Sequence, residues 1–358
     1  MGASKGSVLV AMSGGVDSSV SACLLAEQGY EVVGSHMKLV HLDGVDHGCC
    51  GPRAEADARE VARIGGFEFE IVDMSDVFAS TVLADFFDEH EAGRTPNPCA
   101  RCNEQIKFGA FLDRADQLGV DFVATGHYVR TDAVDGRWRL LRGLDRSKDQ
   151  SYMLYTVGQR ELARSLFPVG SMEKAETRAH ATRLGLPVAS KPDSQEVCFV
   201  PGADHAAFLE RHRPDLRGWG EMVDPLGTVV GEHDGTFRYT IGQRRGLGVS
   251  TGHRNYVVDL EPLRNRVVVG PGELLARRGL VADRVHWVAG GPPADGPFEA
   301  GARIRYRGED APAVVETNGD RVRVEFRSPQ RAVAPGQSVV LYRDDDLLGG
   351  ARIVESIR

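Results

Sequence analysis

The sequence predicts an α/β fold with a doubly wound, mostly parallel sheet, followed by a small β-rich central domain and a C-terminal β-barrel. Between residues 7 and about 130, apolar runs of strand length alternate with segments of helical periodicity, which indicates βαβ units. After about residue 204 the sequence is rich in Gly, Val, Thr and Arg, with alternating apolar positions typical of strands and turns. We therefore predict three domains, at residues 1–203, 204–272 and 273–358.

The first predicted unit is a strand, a loop and a helix in "VLVAMSGGVDSSVSACLLAEQG". Residues 8–12 form an apolar run, and Val20, Leu24 and Leu25 have helical spacing before Gly29 ends the helix. Backbone N–H groups of the glycine–serine loop (residues 11–18) then lie at the positive end of a helix, where an anion is stabilised. The loop lacks the lysine of a Walker loop and the GxGxxG pattern, so it predicts a different kind of phosphate site. A tight turn without a ligand is the alternative.

The later elements follow from the same patterns. We predict helices in "AEADAREVARIGG" and "NEQIKFGAFLDRADQLG", strands in "YEVVGSHM", "FEFEIVDM" and "DFVATGHYVR", and a hairpin in "TDAVDGRWRLLRG". Further helices are predicted in "SYMLYTVGQRELARSLF", "EKAETRAHATRLG" and "GADHAAFLERH". The remaining segments, including "GEMVDPLGTVV", "NYVVDLEPLRNRVVVG" and "RVRVEFRSPQRAVAPGQSVVLY", predict strands and turns. A doubly wound sheet binds its ligands at the carboxyl ends of its strands.

Composition narrows the class of protein. The formal net charge of −8 over 358 residues argues against a protein that coats nucleic acid indiscriminately, although it allows a local basic face. No apolar stretch has the length of a membrane span, so we expect a cytoplasmic protein. Among six cysteines, Cys99 and Cys102 form a C-x-x-C pair, which indicates redox, metal or sulfur chemistry. We interpret Cys23 as a core residue and Cys49 and Cys50 as thiols on a surface loop.

Several motifs occur together and in order: "SGGVDSS", "TPNPCARCNEQIKFGAF", "ATGHYVR", "KDQSYML", "DSQEVCFV", "IGQRRGLGV", "RIRYRG" and "AVAPGQSVVLY". Over residues 8–358 the chain resembles the bacterial tRNA-specific 2-thiouridylases, which belong to the ATP-pyrophosphatase superfamily with an adenine nucleotide α-hydrolase-like fold. The resemblance implies a cytoplasmic, monomeric tRNA sulfurtransferase that acts on the 2-position of the wobble uridine. It would adenylate the uracil carbonyl and then transfer persulfide sulfur, which releases AMP and pyrophosphate.

The resemblance also implies which residues bind ATP. Loop amides and hydroxyls would stabilise the charge on the departing pyrophosphate. Asp17 would help to position Mg²⁺, or its carboxylate would only stabilise the helix N-terminus. The implied ATP-binding residues are Ala11, Met12, Ser13, Gly14, Gly15, Val16, Asp17, Ser18, Met37 and Gly126.

Two cysteines would carry the sulfur chemistry. By resemblance Cys198 carries the persulfide and Cys102 is the catalytic nucleophile, so that a disulfide between them remains for a reductant to open. Because Cys99 completes a C-x-x-C, an alternative is an iron–sulfur cluster held by Cys99, Cys102 and Cys198 in the same tRNA thiolation. A zinc site is less favoured, because the sequence offers no evident fourth ligand. For Cys102 and Cys198 the simplest structural interpretation is a small buried side chain.

RNA contacts are likewise implied by the resemblance. The substrate would be a tRNA with a wobble uridine, such as those for glutamine, glutamate and lysine, and sulfur would come from a relay protein or directly from a cysteine desulfurase. The residues at the target base would be Asn97, Pro98 and Cys99, with His127 nearby. Other tRNA contacts would come from Lys148, Asp149, Gln150, Arg305, Tyr306 and Gln337.

Two other functional classes compete with this reading. An ATP pyrophosphatase that forms amide bonds needs the glycine–serine loop but neither Cys102 nor Cys198. An RNA-binding protein that has lost catalysis needs neither the loop nor the two cysteines. The intact "SGGVDS" and both cysteines argue against that second class.

Overall fold

The computed structural model describes residues 5–40, 51–193, 197–200, 202, 204–249 and 254–358. Its N-terminal region is built on five parallel strands in the order β3-β2-β1-β4-β7, which is a doubly wound sheet as predicted. Its strands are β1 (Ser7–Ala11), β2 (Glu31–Lys38), β3 (Glu68–Asp73), β4 (Phe122–Ala124) and β7 (Ser165–Leu166). Central strand β1 is apolar on both faces: Leu9 packs into one core cluster and Val8 and Val10 into another.

Helices cover both faces of this sheet. Helix α2 begins at Pro52, two residues earlier than predicted, and ends at Gly65; the capping residue Gly66 has a positive φ of 69°, which suits glycine. The helices are α1 (Val16–Glu27), α2 (Pro52–Gly65), α3 (Ser75–Phe78), α4 (Ala84–Glu91), α5 (Pro98–Cys102), α6 (Phe111–Leu118), α7 (Gln159–Leu162), α8 (Lys174–Arg183) and α9 (His205–His212). π-helical turns join α3 to α4 (Ala79–Leu83) and α5 to α6 (Asn103–Ala110). No helix among the described residues is both long and apolar enough to cross a membrane.

Two predicted elements were wrong. The strand predicted in "DFVATGHYVR" breaks after Ala124, and the chain resumes at Val129 as a strand of a different sheet. The long helix predicted for residues 151–167 is a 3₁₀ turn (Ser151–Leu154), the short helix α7 and strand β7. The physical reason is long-range packing, because Tyr152, Leu154 and Val157 are buried against side chains of the C-terminal barrel.

The central region is a small four-stranded sheet in the order β10-β11-β8-β9. Its strands are β8 (Gly220–Val223), β9 (Val229–His233), β10 (Tyr256–Glu261) and β11 (Arg266–Gly270). Strands β8 and β9 form one antiparallel pair and β10 and β11 another, with β8 and β11 parallel between them. The predicted β-rich central region is therefore confirmed.

The C-terminal region is a closed barrel of six strands in the order β12-β15-β14-β13-β16-β17, because β12 also pairs with β17. Its strands are β12 (Ala276–Trp287), β13 (Phe298–Arg303), β14 (Ala311–Asn318), β15 (Arg321–Arg331), β16 (Ser338–Arg343) and β17 (Asp346–Ile357).

The predicted hairpin of the N-terminal region, β5 (Val129–Val134) and β6 (Arg137–Arg142), joins this barrel. Its strand β6 pairs with β17. The hairpin of the α/β region therefore extends the β-sheet of the barrel.

Candidate active site

A cavity of about 680 Å³ lies at the carboxyl ends of β1, β2 and β4. This is the switch point of the doubly wound sheet, where the order of the strands reverses between β1 and β4. Residues of the glycine–serine loop form one wall, and residues 303 and 306–308 of the barrel region form another. Although the chain has a formal charge of −8, this cavity is lined by more cations than anions. The cations are Lys107, Arg146, Lys148, Lys174, Lys191, Arg303 and Arg307, and the anions are Asp17, Asp149 and Asp193. The cavity therefore suits an anionic ligand.

The glycine–serine loop has the strand-loop-helix form that the sequence predicts. Gly14 has a positive φ of 67°, and a Cβ there would lie 2.2 Å from the carbonyl oxygen of Ala54, so only glycine fits. The hydroxyl of Ser18 accepts a hydrogen bond from the backbone N–H of Ser13 at 3.2 Å, and it contacts Gly15 O at the same distance. Helix α1 begins at Val16, so the loop amides lie at its N-terminus.

Gly126 and Met37 lie where the sequence predicts them, at the carboxyl ends of β4 and β2, the two strands that flank β1. A Cβ on Gly126 would lie 2.6 Å from the backbone nitrogen of Ser18, so the absence of a side chain allows the chain after β4 to touch the loop. Met37 is half-buried near the end of β2, and both residues line the cavity. Of the ten implied ATP-binding residues, all but Gly14 contribute to the cavity wall.

Asp17 belongs to a charged network that sequence reasoning missed. Its carboxylate accepts hydrogen bonds from the ammonium of Lys174 at 2.7 and 2.8 Å and from the hydroxyl of Tyr128 at 2.8 Å. The same ammonium lies 2.8 Å from Asp193, which also binds Lys148 at 2.9 Å. Burial disfavours the charged form of Asp193, but the hydrogen bonds from Lys174 and Lys148 outweigh it and lower its pKa.

Lys191 reaches the opposite side of the loop. Its ammonium donates to the carbonyl oxygen of Gly14 at 2.9 Å and pairs with Asp57 at 2.6 Å. The absence of a lysine in the loop therefore does not leave the site without one, because Lys174 and Lys191 come from later segments. The sequence carries no local signal for this, since both lysines are separated from the loop by most of the α/β region.

His127 is buried beside the cavity. Its Nδ1 lies 2.8 Å from the hydroxyl of Thr125, and its Nε2 lies 3.4 Å from the ammonium of Lys107. An ammonium can only donate, so Nε2 is the acceptor and Nδ1 carries the proton. Burial, with the charge of Lys107 acting in the same direction, holds the pKa of His127 well below its usual value. The imidazole is therefore neutral at neutral pH.

The cysteines divide between the cavity and the core. Cys198 lines the cavity and packs against the apolar cluster that contains Cys102, whereas Cys102 is buried at the end of α5. Cys99, Cys102 and Cys198 are all reduced, so the predicted disulfide is not formed in this structure. Cys23 is a core residue, as predicted, and burial raises its pKa to about 11.

The iron–sulfur alternative would need at least three ligand side chains close together. In the part of the chain that the structure describes, no three His, Cys, Asp or Glu side chains are grouped to hold a metal ion. Cys99, Cys102 and Cys198 therefore do not form such a group there. Cys49 and Cys50 lie outside the described residues.

Asn97 and Gln337, both expected at the RNA, hydrogen-bond across the boundary between the α/β region and the barrel. Asn97 caps α5 by accepting from the N–H of Ala100 at 3.2 Å, and its amide nitrogen lies 3.1 Å from the hydroxyl of Ser338. Gln337 donates to the carbonyl oxygens of Thr95 and Pro96 at 3.1 and 2.9 Å. Both side chains thus hold the segment that leads into the C-x-x-C helix, which Pro98 begins.

The cavity is lined by Lys148, Asp149 and Gln150. Lys148 is half-buried and charged, whereas the charged side chain of Asp149 is buried and Gln150 is uncharged. Asp149 is 7% exposed and accepts from the N–H groups of Gly143 and Ser151 at 3.1 Å. The side-chain oxygen of Gln150 accepts from the N–H of Tyr128 at 2.9 Å. Asp149 and Gln150 therefore also stabilise the local fold.

Tyr306 and Arg305 point to different surroundings. Tyr306 lines the cavity and its ring lies 6.2 Å from that of Tyr152. Burial and the charge of Asp149 raise the pKa of the Tyr306 hydroxyl, and Cys99 acts in the same direction. Arg305 is exposed and donates to the carbonyl oxygen of Arg331. Of the arginines in this segment, Arg303 and Arg307 line the cavity.

A doubly wound sheet with a glycine–serine loop at its switch point and a cationic cavity defines an α/β protein built to bind a phosphorylated ligand. Comparison with known families narrows this class. Residues 6–202 match the tRNA methyl transferase HUP domain, residues 206–271 the tRNA methyl transferase PRC-barrel domain, and residues 277–353 the aminomethyltransferase beta-barrel domain.

Two curated relatives are tRNA-specific 2-thiouridylases. That of Geobacter metallireducens is 48% identical and the match covers 97% of this chain and 96% of the relative. That of Heliobacterium modesticaldum is 47% identical, with 99% and 94% covered. A solved 4-thiouridine synthetase–RNA complex with bound ATP is 18% identical with a TM-score of 0.37, over 59% of this chain and 51% of that one. On the curated relatives, the chain belongs to the tRNA-specific 2-thiouridylase family, a family of tRNA sulfurtransferases.

Proposed function

We propose that this protein uses ATP to replace the 2-oxygen of a tRNA wobble uridine with sulfur, releasing AMP and pyrophosphate. The observation that carries the proposal is the cavity itself, because the glycine–serine loop, seven cationic side chains and Cys198 all line it. A nucleotide loop beside a thiol is what an adenylation followed by sulfur transfer needs. An amide-forming ATP pyrophosphatase would have no use for Cys198 at this place.

In the proposed first half-reaction, ATP binds at residues 11–18 with Met37 and Gly126. The 2-oxygen of the uracil attacks the α-phosphorus of ATP, the bond to pyrophosphate breaks, and loop amides with the hydroxyls of Ser13 and Ser18 stabilise the departing pyrophosphate. His127, which is neutral, would lie beside the target base. Mg²⁺ prefers carboxylate and phosphate oxygens, and Asp17 is the carboxylate of the loop that fits it. When bound, the ion would neutralise phosphate charge.

In the proposed second half-reaction, Cys198 carries a persulfide. Its terminal sulfur attacks C2 of the adenylated uridine, the carbon–sulfur bond forms, and AMP leaves with the former carbonyl oxygen. The Cys102 thiolate then attacks Sγ of Cys198, which breaks the sulfur–sulfur bond to the base and releases 2-thiouridine. The resulting disulfide between Cys102 and Cys198 is reopened by a thiol reductant.

The RNA contacts are proposed at two places. Asn97, Pro98 and Cys99 would border the target base, while Lys148 and Arg305 would meet phosphates and Tyr306 would offer a stacking face. A relay protein or a cysteine desulfurase would load Cys198, and tRNAs for glutamine, glutamate and lysine would be the substrates. We assign these roles to a monomer in the cytoplasm with domains at residues 1–203, 204–272 and 273–358.

The test combines product analysis with cysteine variants. With Mg-ATP, a cysteine desulfurase, cysteine and tRNA, the wild-type chain should make 2-thiouridine and AMP. ADP in place of AMP would overturn the proposal. Cys198→Ser should lose both the protein-bound persulfide and thiolation, whereas Cys102→Ser should still load persulfide but not turn over repeatedly.

Cys23→Ala is the matched control, because Cys23 is buried in the core away from the cavity. It should load persulfide and thiolate tRNA as the wild type does. If mass spectrometry finds persulfide on Cys102 in Cys198→Ser and thiolation persists, the two roles are reversed. If activity requires bound iron and acid-labile sulfide that Cys99→Ser loses, the iron–sulfur alternative replaces this mechanism.

A further inference from the structure

Lys174 lies at the centre of the charged network beside the glycine–serine loop. It is the first residue of α8, its side chain is 11% exposed, and it lines the cavity. Its ammonium contacts both carboxylate oxygens of Asp17 and one oxygen of Asp193, all within 2.8 Å. A lysine ammonium has three donors, and these three contacts use them all.

The carboxylates of Asp193 and Asp17 would retain different partners if the ammonium of Lys174 moved away. Asp193 would still pair with Lys148 at 2.9 Å and with Arg178 at 3.0 Å. Among the contacts that the described residues make, Asp17 would keep only the hydrogen bond from the Tyr128 hydroxyl. Departure of the ammonium from Asp17 therefore requires a replacing cation, and Mg²⁺ bound with ATP would be one.

We propose that Lys174 is a phosphate-contacting residue of the ATP site, which neutralises Asp17 in the empty protein and turns to phosphate oxygens when Mg-ATP binds. The inference rests on the proposed function. A lysine is a point charge on a flexible four-carbon stem, so its ammonium can change partners without movement of α8. Lys174 would thus supply the positive charge that, in a Walker loop, comes from a lysine of the loop itself.

The test is a calorimetric titration of the full chain with ATP and with AMP, both in excess Mg²⁺. Lys174→Gln should bind ATP at least about ten-fold more weakly, since a charge-assisted contact to phosphate is lost, and AMP within about two-fold of the wild type. Arg183→Gln is the matched control on the same helix, because Arg183 pairs with Glu27 at the surface. It should bind both nucleotides as the wild type does.

Two results would overturn the proposal. Unchanged or tighter ATP binding by Lys174→Gln would make Lys174 only the counter-ion of Asp17. Equal losses for ATP and AMP would indicate general damage to the site. A wild-type chain that binds no ATP would contradict the proposed function instead, so the two failures are distinguishable.

A measurement on the wild-type chain covers the case in which Lys174→Gln does not fold. Labelling with an amine-reactive reagent, followed by mass spectrometry, should show that Mg-ATP changes the reactivity of Lys174 by about two-fold or more while Mg-AMP does not. Equal reactivity with the two nucleotides would overturn the proposal.

Discussion

At the scale of single residues, Gly126 sets how closely the chain after β4 can approach the glycine–serine loop. A methyl group at this position would lie 2.6 Å from the nitrogen of Ser18 and 3.0 Å from Cβ of Asp17. We predict that Gly126→Ala displaces the loop, destabilises the protein by roughly 1–3 kcal/mol and weakens ATP binding about ten-fold or more. Nucleotide titration and thermal unfolding would measure both effects.

The control for this substitution is Gly291→Ala. A Cβ at Gly291 has no neighbour within 4 Å, and Gly291 is not among the glycines of positive φ. It should leave both measurements unchanged. Wild-type ATP affinity in Gly126→Ala would contradict the role assigned to the close approach.

His90 makes stability depend on pH. Burial lowers its pKa to about 4, against the opposing effect of its hydrogen bond to the carbonyl oxygen of Phe86. The unfolded chain binds the proton near pH 6.5, so stability is complete above that pH and is lost as the pH falls toward 4. Between pH 7 and pH 5 we predict that the wild type loses ~1–2 kcal/mol more free energy of unfolding than His90→Gln. Urea unfolding followed by the helical circular dichroism signal would show it; parallel pH profiles would contradict it.

At the scale of elements, the barrel segment before β16 holds the segment that leads into α5. Gln337 donates to two carbonyl oxygens of that segment, and a Cβ on Gly336 would lie 2.8 Å from the nitrogen of Thr95. We predict that Gln337→Glu, which cannot donate, slows single-turnover thiolation about ten-fold while tRNA affinity changes less than three-fold. Filter binding at stated salt and nucleoside chromatography would measure the two quantities.

The comparison also decides between two roles for Gln337. If it contacted tRNA, as the family resemblance implies, affinity would fall as far as thiolation does. Gln330→Glu is the matched control, because the amide of Gln330 bonds only to the carbonyl oxygen of Ser328 within the barrel in the contacts described. It should change neither quantity.

The elements that the sequence predicted well are those whose periodicity is satisfied locally. Strand β1, its loop and α1 follow from an apolar run, glycines and helical spacing. Such local patterns do not predict the break after Ala124 or the irregular chain from Tyr152 to Val157. After the break, β5 pairs with β6, which in turn pairs with β17 of the barrel. Tyr152, Leu154 and Val157 pack against barrel side chains that lie far away in sequence. Lys174 and Lys191 also lie far in sequence from the glycine–serine loop, so no local motif predicts that they contact it.

At the scale of the whole molecule, the α/β region and the barrel share one apolar core. Leu140 of β6 and Leu154 pack in the same cluster as Val340, Tyr342 and Leu347 of the barrel, and all five are buried. Buried side chains of this size each contribute about 1.5–3 kcal/mol. The barrel is therefore part of the fold that supports the cavity.

Two barrel leucines of equal burial test this shared core. Leu347 lies in the cluster shared with the α/β region, whereas Leu341 packs inside the barrel alone, and each is 1% exposed. Both Leu→Ala variants should lose about 2–5 kcal/mol of stability. Only Leu347→Ala should speed hydrogen exchange in residues 137–142 and 151–157, because the cavity it leaves borders those segments. Mass spectrometry of exchanged peptides would measure this, and equal exchange in the two variants would contradict the coupling between Leu347 and these segments.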